Sequence, residues 1–282
     1  MKEYQNEFKI TTMARVLEVS RSGYYGWLKQ KPSNRIKEHL FLAQHIERVF
    51  EESRRSYGSP RIYKQLKTEG IPCGRHRIAY LMRRSGIVAR KKRRYRKPVT
   101  QRHDRSFAAN VLNRQFHYDK PNRAWTSDVS YFWTRSGWLH LAIVMDLFSR
   151  KIIGWSMGAH VDKNLTMSAF TMALANRNPT KRLIHHSDQG AEYTNNEYQS
   201  ILNNYGIIPS MSRTANCYDN AVAESFFKTI KVELAKKKKF NTIEEARSAI
   251  FEYIEIFYNR KRLHSTLGYL SPAEYERRKG IT

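Results

Sequence analysis

The chain has 282 residues, carries 51 Lys and Arg against 25 Asp and Glu for a formal net charge of +26, and is 40% apolar. That apolar share supports a real core in one large domain or two smaller ones. A positive excess of this size is tolerable mainly when a polyanion neutralises it, which puts nucleic acid first and an acidic membrane surface second. A membrane span is excluded, because the longest apolar run, around Leu139–Leu147, is short and contains Asp146.

The N-terminal third reads as helical. MKEYQNEFKI lacks the apolar region of a signal peptide. Thr11–Leu17 has a polar start and apolar spacing, and Ser20–Lys29 is a capped short helix whose Tyr24, Tyr25 and Trp27 read as a small core. After the turn Lys31–Asn34, the positions Ile36, Leu40, Ala43, Ile46 and Phe50 mark one long helix from Arg35. Ser59 reads as an N-cap ahead of Pro60, and Ile62, Leu66 and Gly70 outline a short helix. A second, through Ile78, Leu81 and Met82, is stopped by Gly86 and bears Arg75, Arg77, Arg83 and Arg84. Two short helices across a tight turn fit a helix-turn-helix, with these arginines as DNA contacts.

Arg75–Arg105 holds 13 Lys or Arg and one Asp, a net +12 in one stretch. A basic run is commonly a solvated tail. This one lies in mid-chain directly after the helix-turn-helix, so Arg90, Lys91, Lys92, Arg93 and Arg94 are read as phosphate contacts. The expected division is a short helical segment over 1–34, a helix-turn-helix DNA-binding domain over 35–97, a basic linker over 98–120, and an α/β unit with a C-terminal helical extension over 121–282.

From Ala124 the texture changes. Ala124–Phe132, Trp138–Leu147 and Lys151–Met157 form a meander of three strands. A helix over Asn164–Asn176, a strand at Leu183–Ser187, a helix over Asn195–Tyr205 and a strand at Ile207–Ser210 follow. The fold class is therefore α/β, a mixed five-stranded sheet flanked by helices and preceded by an all-α region. Cys73 and Cys217 stand far apart with no CxxC, which supports neither a disulfide framework nor a Cys-rich zinc site and fits a reduced cytoplasm.

Three carboxylates stand out in a chain poor in acids. Asp128 lies inside the first strand among Trp125, Val129 and Tyr131, where an unpaired carboxylate is costly to bury. Asp188 lies just past the fourth strand, and Glu224 lies on a helix over Asp219–Lys237, with 35 residues between the two. Asn220, Glu224, Lys228 and Lys231 share one polar stripe of that helix, while Ala223, Phe227, Ile230 and Leu234 form the apolar stripe that packs on the sheet. Taken singly, Asp128 reads as an ion-pair partner, Asp188 as a turn-former and Glu224 as a solvated residue. Together they make a hard-oxygen site suited to two Mg²⁺ or Mn²⁺ ions, with Lys228 and Lys231 toward the phosphates of bound DNA.

Asp128, Asp188 and Glu224 at this spacing resemble the D,D-35-E triad of retroviral-integrase-like transposases. The surrounding TSDVSYF, MDLFSRKIIGW, HHSDQGAEYT, NCYDNAVAESFFKTIKVEL and YNRKRLHSTLGYLSPAEY resemble the OrfB catalytic protein of the insertion-sequence-three family, from about Phe41 to Tyr275. The family carries a basic residue seven positions after the glutamate, matched by Lys231; at Ser212–Asn216 this chain reads SRTAN where a Lys-Gly pair is common before the Asn.

The resemblance implies an RNase H-like core that cuts element ends and uses the exposed 3′-hydroxyl for strand transfer. It implies double-stranded DNA as partner (the terminal inverted repeats of its element and target DNA), and fusion to an upstream OrfA product supplying a further helix-turn-helix and a leucine zipper. No heptad run occurs here. Transposon ends come in pairs, so a homo-oligomer, at least a dimer on DNA, is expected, with a location at the bacterial nucleoid. The alternatives are a DNA-binding regulator with a vestigial active site and a metal nuclease of the same fold. No Walker-type glycine loop is present.

Four further groups are weighed. Asp146 reads as structural, bonding Ser149 and Arg150 across the turn. His185 and His186 alternate, one inward and one outward, and His186 reads as a satisfied core residue. Asn216 and Tyr218 read as DNA contacts and Asp219 as an N-cap. His264 follows an aromatic helix over Ala246–Tyr258, in a C-terminal element read as packing and DNA-contacting.

Overall fold

Strand β1 (Ala124–Thr134) is the centre of a five-stranded sheet with β2 (Gly137–Asp146), β3 (Ile152–Gly158), β4 (Ile184–Ser187) and β5 (Ile208–Met211), in the order β3-β2-β1-β4-β5. The computed structural model describes residues 1–89, 107–214, 216, 218–235 and 240–281, so Arg90, Lys91, Lys92, Arg93 and Arg94 lie outside the described residues. The first three strands are antiparallel, with Asp128 opposite Ile143, and β4 and β5 add on in parallel. β4 pairs with β1 only over Ala124–Thr126, so beyond Thr126 the centre strand loses its neighbour on that side.

Both faces of β2 are buried, which explains its near-continuous apolar run. On one face Leu139, Leu141, Ile143 and Met145 pack with Phe132 against Phe226, Phe227 and Ile230 of α9 (Ala221–Ile230) and Ile250 of α10 (Ile243–Glu252). On the other, Ala142, Val144 and Ile153 meet Phe170 and Ala173 of α6 (Lys163–Arg177). Gly154 makes that second contact possible: a Cβ there would stand 2.1 Å from the Ala169 carbonyl oxygen.

The N-terminal unit comprises α1 (Ile10–Val16), α2 (Arg21–Lys29), α3 (Asn34–Glu52), α4 (Ser59–Thr68) and α5 (Arg75–Arg84). Ile46, Ile62, Leu66 and Ile78 close its core, and Leu263 from the C-terminal region packs on it. The N-cap of α4 is Gly58, one residue before the expected Ser59. Of the three N-terminal aromatics only Tyr24 is buried; Tyr25 and Trp27 are exposed, so they form no core.

Three further expectations change. The segment read as a linker is, from residue 107 on, part of the sheet unit: Leu112 is buried with Ala124 and Leu147, and its amide donates to Ser210 Oγ at 3.0 Å. The helix expected over Asp219–Lys237 is α-helical only over Ala221–Ile230 and widens into a π-helical turn at Lys231–Ala235. That over Ala246–Tyr258 begins at Ile243 and ends likewise, at Tyr253–Tyr258. The wider turns rotate the side-chain phase, and Glu233 thereby faces the buried Arg262 at 2.7 Å.

Candidate active site

The β1–β4 register ends the same distance ahead of each of the two aspartates. Each pair, from Ala124↔Ile184 to Thr126↔His186, carries the same offset. Two residues past the last pair, the same offset relates Asp128, in the middle of β1, to Asp188, just past the carboxyl end of β4, the kind of strand end at which open α/β sheets place their sites. The strand alternation that buries Phe132 in the α9 side of the core also turns Asp128 toward α9. Asp128 Oδ1 accepts from the Val129 amide at 2.9 Å, and Asp188 Oδ1 accepts from the Gly190 amide at 3.0 Å.

Glu224 arrives by a different route. Asn220 is the N-cap residue of α9, but its side chain bonds no helix amide; it accepts from the Thr126 hydroxyl and donates to the Ser127 carbonyl at 3.1 Å. One turn later on the same stripe Glu224 follows, 16% exposed and 3.4 Å from Lys228 Nζ. Lys231 is half-buried, with its Nζ 4.6 Å from the centre of the Tyr131 ring. Burial lowers the Lys231 pKa, and Asp128 pulls it back up. The basic residue seven places after the glutamate therefore sits beside the first aspartate.

Sequence reading passed over Glu192 and Tyr193. They lie on α7 (Ala191–Thr194), a single turn directly after Gly190 that the sequence pattern did not announce. Burial raises the Glu192 carboxyl, and Asp188 adds to the rise. Tyr193 is buried, and its hydroxyl has no hydrogen-bond partner among the described residues. Burial pushes its phenol well above the ordinary value, with Tyr198, Asp188, Asp128 and Glu192 adding to the shift. The field of three carboxylates thus meets at one side chain. An acid four residues after Asp188, at a helix start, reads locally as a dipole partner, which hid it.

The other weighed residues are structural supports. Asp146 accepts at 3.0 Å from the Phe148 amide and 3.1 Å from the Asn122 amide; its carboxylate bonds these in place of Ser149 and Arg150, and burial pushes its pKa up to about 6. His185 and His186 are both buried, since neither sheet face is open there, so the expected outward histidine does not exist. His185 Nε2 lies 2.8 Å from Ser127 Oγ and 3.1 Å from the Tyr198 hydroxyl, and His186 bridges Ser210 and Ser212. Burial lowers their pKa values to about 3 and about 4.

Asp219 is not an N-cap. It is fully buried and binds Arg213 and Arg114, and the Arg213 guanidinium holds its carboxyl well below the usual range. Asn216 Oδ1 accepts from Arg114 at 3.1 Å and from the Tyr218 amide at 3.2 Å, while the Tyr218 ring is 68% exposed. In the N-terminal unit Arg75, Arg83 and Arg84 are exposed, whereas Arg77 pairs with Glu38 at 2.7 Å.

Asp128, Asp188 and Glu224 offer only carboxylate oxygens, a donor set that fits Mg²⁺ or Mn²⁺. Among the described residues no three His, Cys, Asp or Glu side chains are gathered at metal-ligating closeness. No helix among them is long and apolar enough to cross a membrane.

A central strand with an acidic residue past its last parallel pair, in the order β3-β2-β1-β4-β5, defines an RNase H-like core. Family models agree: integrase core domains match residues 118–217 and 224–279, and an HTH-like domain matches 35–95. The chain is 41% identical over 263 residues to the insertion element IS600 31 kDa protein of Shigella sonnei, covering 93% of this chain and 97% of that one. It is 39% identical over 281 residues to the transposase InsF for insertion sequence IS3A of Escherichia coli strain K12, covering 98% and 96%. The HTLV-2 integrase catalytic core domain in complex with magnesium is 19% identical at a TM-score of 0.39, covering 51% and 91%. The chain belongs to the integrase-core transposases of IS3-type bacterial insertion sequences.

Proposed function

We propose that the chain is a metal-dependent DNA strand transferase whose catalytic carboxylates are Asp128, Asp188 and Glu224. What supports this is the β1–β4 register, whose last pair, Thr126↔His186, stands two residues ahead of both Asp128 and Asp188, with α9 tied to the same strand by Asn220. Divalent ions, two per site, would activate the attacking oxygen and stabilise the leaving one. The residues themselves hold and orient: the Val129 and Gly190 amides fix one oxygen of each aspartate. Lys231 and Lys228 supply positive charge for the phosphates on either side of the scissile bond. Tyr218 and the exposed Arg75, Arg83 and Arg84 supply duplex contacts, and the protein acts as a homo-oligomer, at least a dimer, on paired element ends, alone or fused to an upstream OrfA product.

The test is strand transfer of element-end DNA in Mg²⁺. Asp128→Asn is expected to lose cleavage and joining by about 10³-fold or more while keeping duplex affinity. Normal joining by that variant would sink the assignment. Cleavage without joining by the unaltered chain would make it a nuclease, and binding with neither would make it a regulator.

A further inference from the structure

Between α9, the β2–β3 turn, the loop 262–266 and α4 lies a cavity of about 260 Å³. Its walls bring together Arg61 of the N-terminal unit, Arg150 of the β2–β3 turn, and Arg262. Arg262 is neutralised by Glu233, which also accepts from the Tyr253 hydroxyl at 2.8 Å. The other two have no ion pair among the described residues. Arg150 is 93% buried, its Nη2 donates to the Phe116 carbonyl at 2.7 Å, and its buried Nη1 has no partner among the described residues. Arg61 donates from Nε to the Leu263 carbonyl at 3.0 Å, and burial lowers its pKa as it does that of Arg150.

Burying a guanidinium without a counter-charge is costly. Of the acids whose fields reach these arginines, Glu233 is paired with Arg262, and Asp146 acts on Arg150 without forming an ion pair with it, its carboxylate oxygens bonded to two backbone amides. Ser225 and Thr266 bring hydroxyl side chains to the same wall, while the Thr229 hydroxyl donates to the Ser225 carbonyl at 2.7 Å, and the first turn of α9, with no side-chain cap, lines it too. Two planar guanidinium groups and hydroxyl side chains lining one cavity suit a tetrahedral oxyanion. At about 30 Å³ per water, the volume admits a phosphate group with a few waters.

We propose that this cavity is a phosphate-binding site, one that completes the charge of Arg61 and Arg150 and clamps the helix-turn-helix unit to the core. The phosphate comes either from a DNA backbone or from free anion. The first source rests on the transposase reading; the second does not, so the two ideas fail separately.

The test uses the full chain. Inorganic phosphate and pyrophosphate, each against chloride of equal ionic strength, are expected to raise Tm by about 3 °C, and Arg61→Gln is expected to abolish the rise. Ser225→Asp places a carboxylate in the cavity, so it is expected to raise Tm without anion and remove the anion response. If the source is DNA, free anion does nothing. The salt-dependence slope of generic duplex binding then falls by about 1 in Arg61→Gln and in Ser225→Asp. An unchanged slope together with no anion response in the unaltered chain overturns the proposal. So does an anion response that persists in both variants.

Discussion

Arg213 grips Asp219 with both arms of its guanidinium, Nε to Oδ2 and Nη2 to Oδ1, each at 2.8 Å. The Arg213 amide adds a bond at 3.1 Å, Arg114 Nε another at 2.8 Å, and Asn110 a further one at 2.9 Å. A fully buried carboxylate is thus satisfied by three side chains, two of them from the segment ahead of β1, and it ties Arg213 to the residue just ahead of the N-cap of α9.

Asp219→Asn is therefore expected to cost about 2–3 kcal/mol, less than a fully buried pair because the two arginines are half-exposed. Urea unfolding checks this. Strand transfer should fall with it although no proposed ligand is altered, because α9 loses its anchor. The depressed Asp219 pKa makes this contribution present above about pH 4 and lost as pH falls below it. An unchanged unfolding midpoint would remove Asp219 from this role.

How much of this was legible in the sequence follows from the range of the interactions. Asp128 sits on a strand announced by local alternation and Asp188 just past the end of another expected strand, so their positions could be read. The apolar stripe Ala223, Phe227, Ile230 and Leu234 was legible for the same reason and is buried throughout. Asp219 was misread because its partners Arg114 and Asn110 are about a hundred residues away, and a local rule saw only a helix start. Alternation also failed at His185 and His186, since it predicts opposite faces but says nothing about whether both are covered. The π-helical turn at Lys231–Ala235 carries no local sequence signal, and it brings Lys231 back over Tyr131.

Asn220→Ala separates positioning from ligation. Its amide ties α9 to Thr126 and Ser127, just ahead of Asp128. Loss of both bonds is expected to cost about 2 kcal/mol and to lower the joining rate by about 10²-fold through misplacement of Glu224. Duplex affinity is expected to stay the same. Raising Mg²⁺ should recover part of the rate in Asn220→Ala but none in Asp128→Asn, and equal failure of both to respond would count against a positioning role.

The acid response has a defined sign. His185 and His186 are lowered from 6.5 to about 3 and about 4, so below pH 6.5 the unfolded chain takes up protons that the folded chain refuses, and stability falls. Asp146, raised to about 6, and Glu192, also raised, act in the opposite direction: the folded chain holds protons that the unfolded chain releases. Asp146→Asn removes one of these offsets. Between about pH 6 and 4.5 its stability should fall more steeply than that of the unaltered chain, by about 1.4 kcal/mol per pH unit. Parallel curves of urea midpoint against pH would refute this.

One hydroxyl makes two of the hydrogen bonds between the N-terminal unit and the C-terminal region. Tyr57, 3% exposed, accepts from the Leu263 amide at 2.7 Å and donates to the Lys261 carbonyl at 3.4 Å. Leu263 itself packs into the N-terminal core, and Arg54 pairs with Glu252 at 2.6 Å nearby. Tyr57→Phe keeps the ring and its packing but leaves the Leu263 amide without its acceptor, at a cost of about 1–2 kcal/mol. Amide exchange over residues 261–267 should accelerate about 10-fold while the β-sheet amides keep their rates, because only the docked surface opens. Exchange that rises equally across the whole chain would show that the docking surface and the core unfold as one unit.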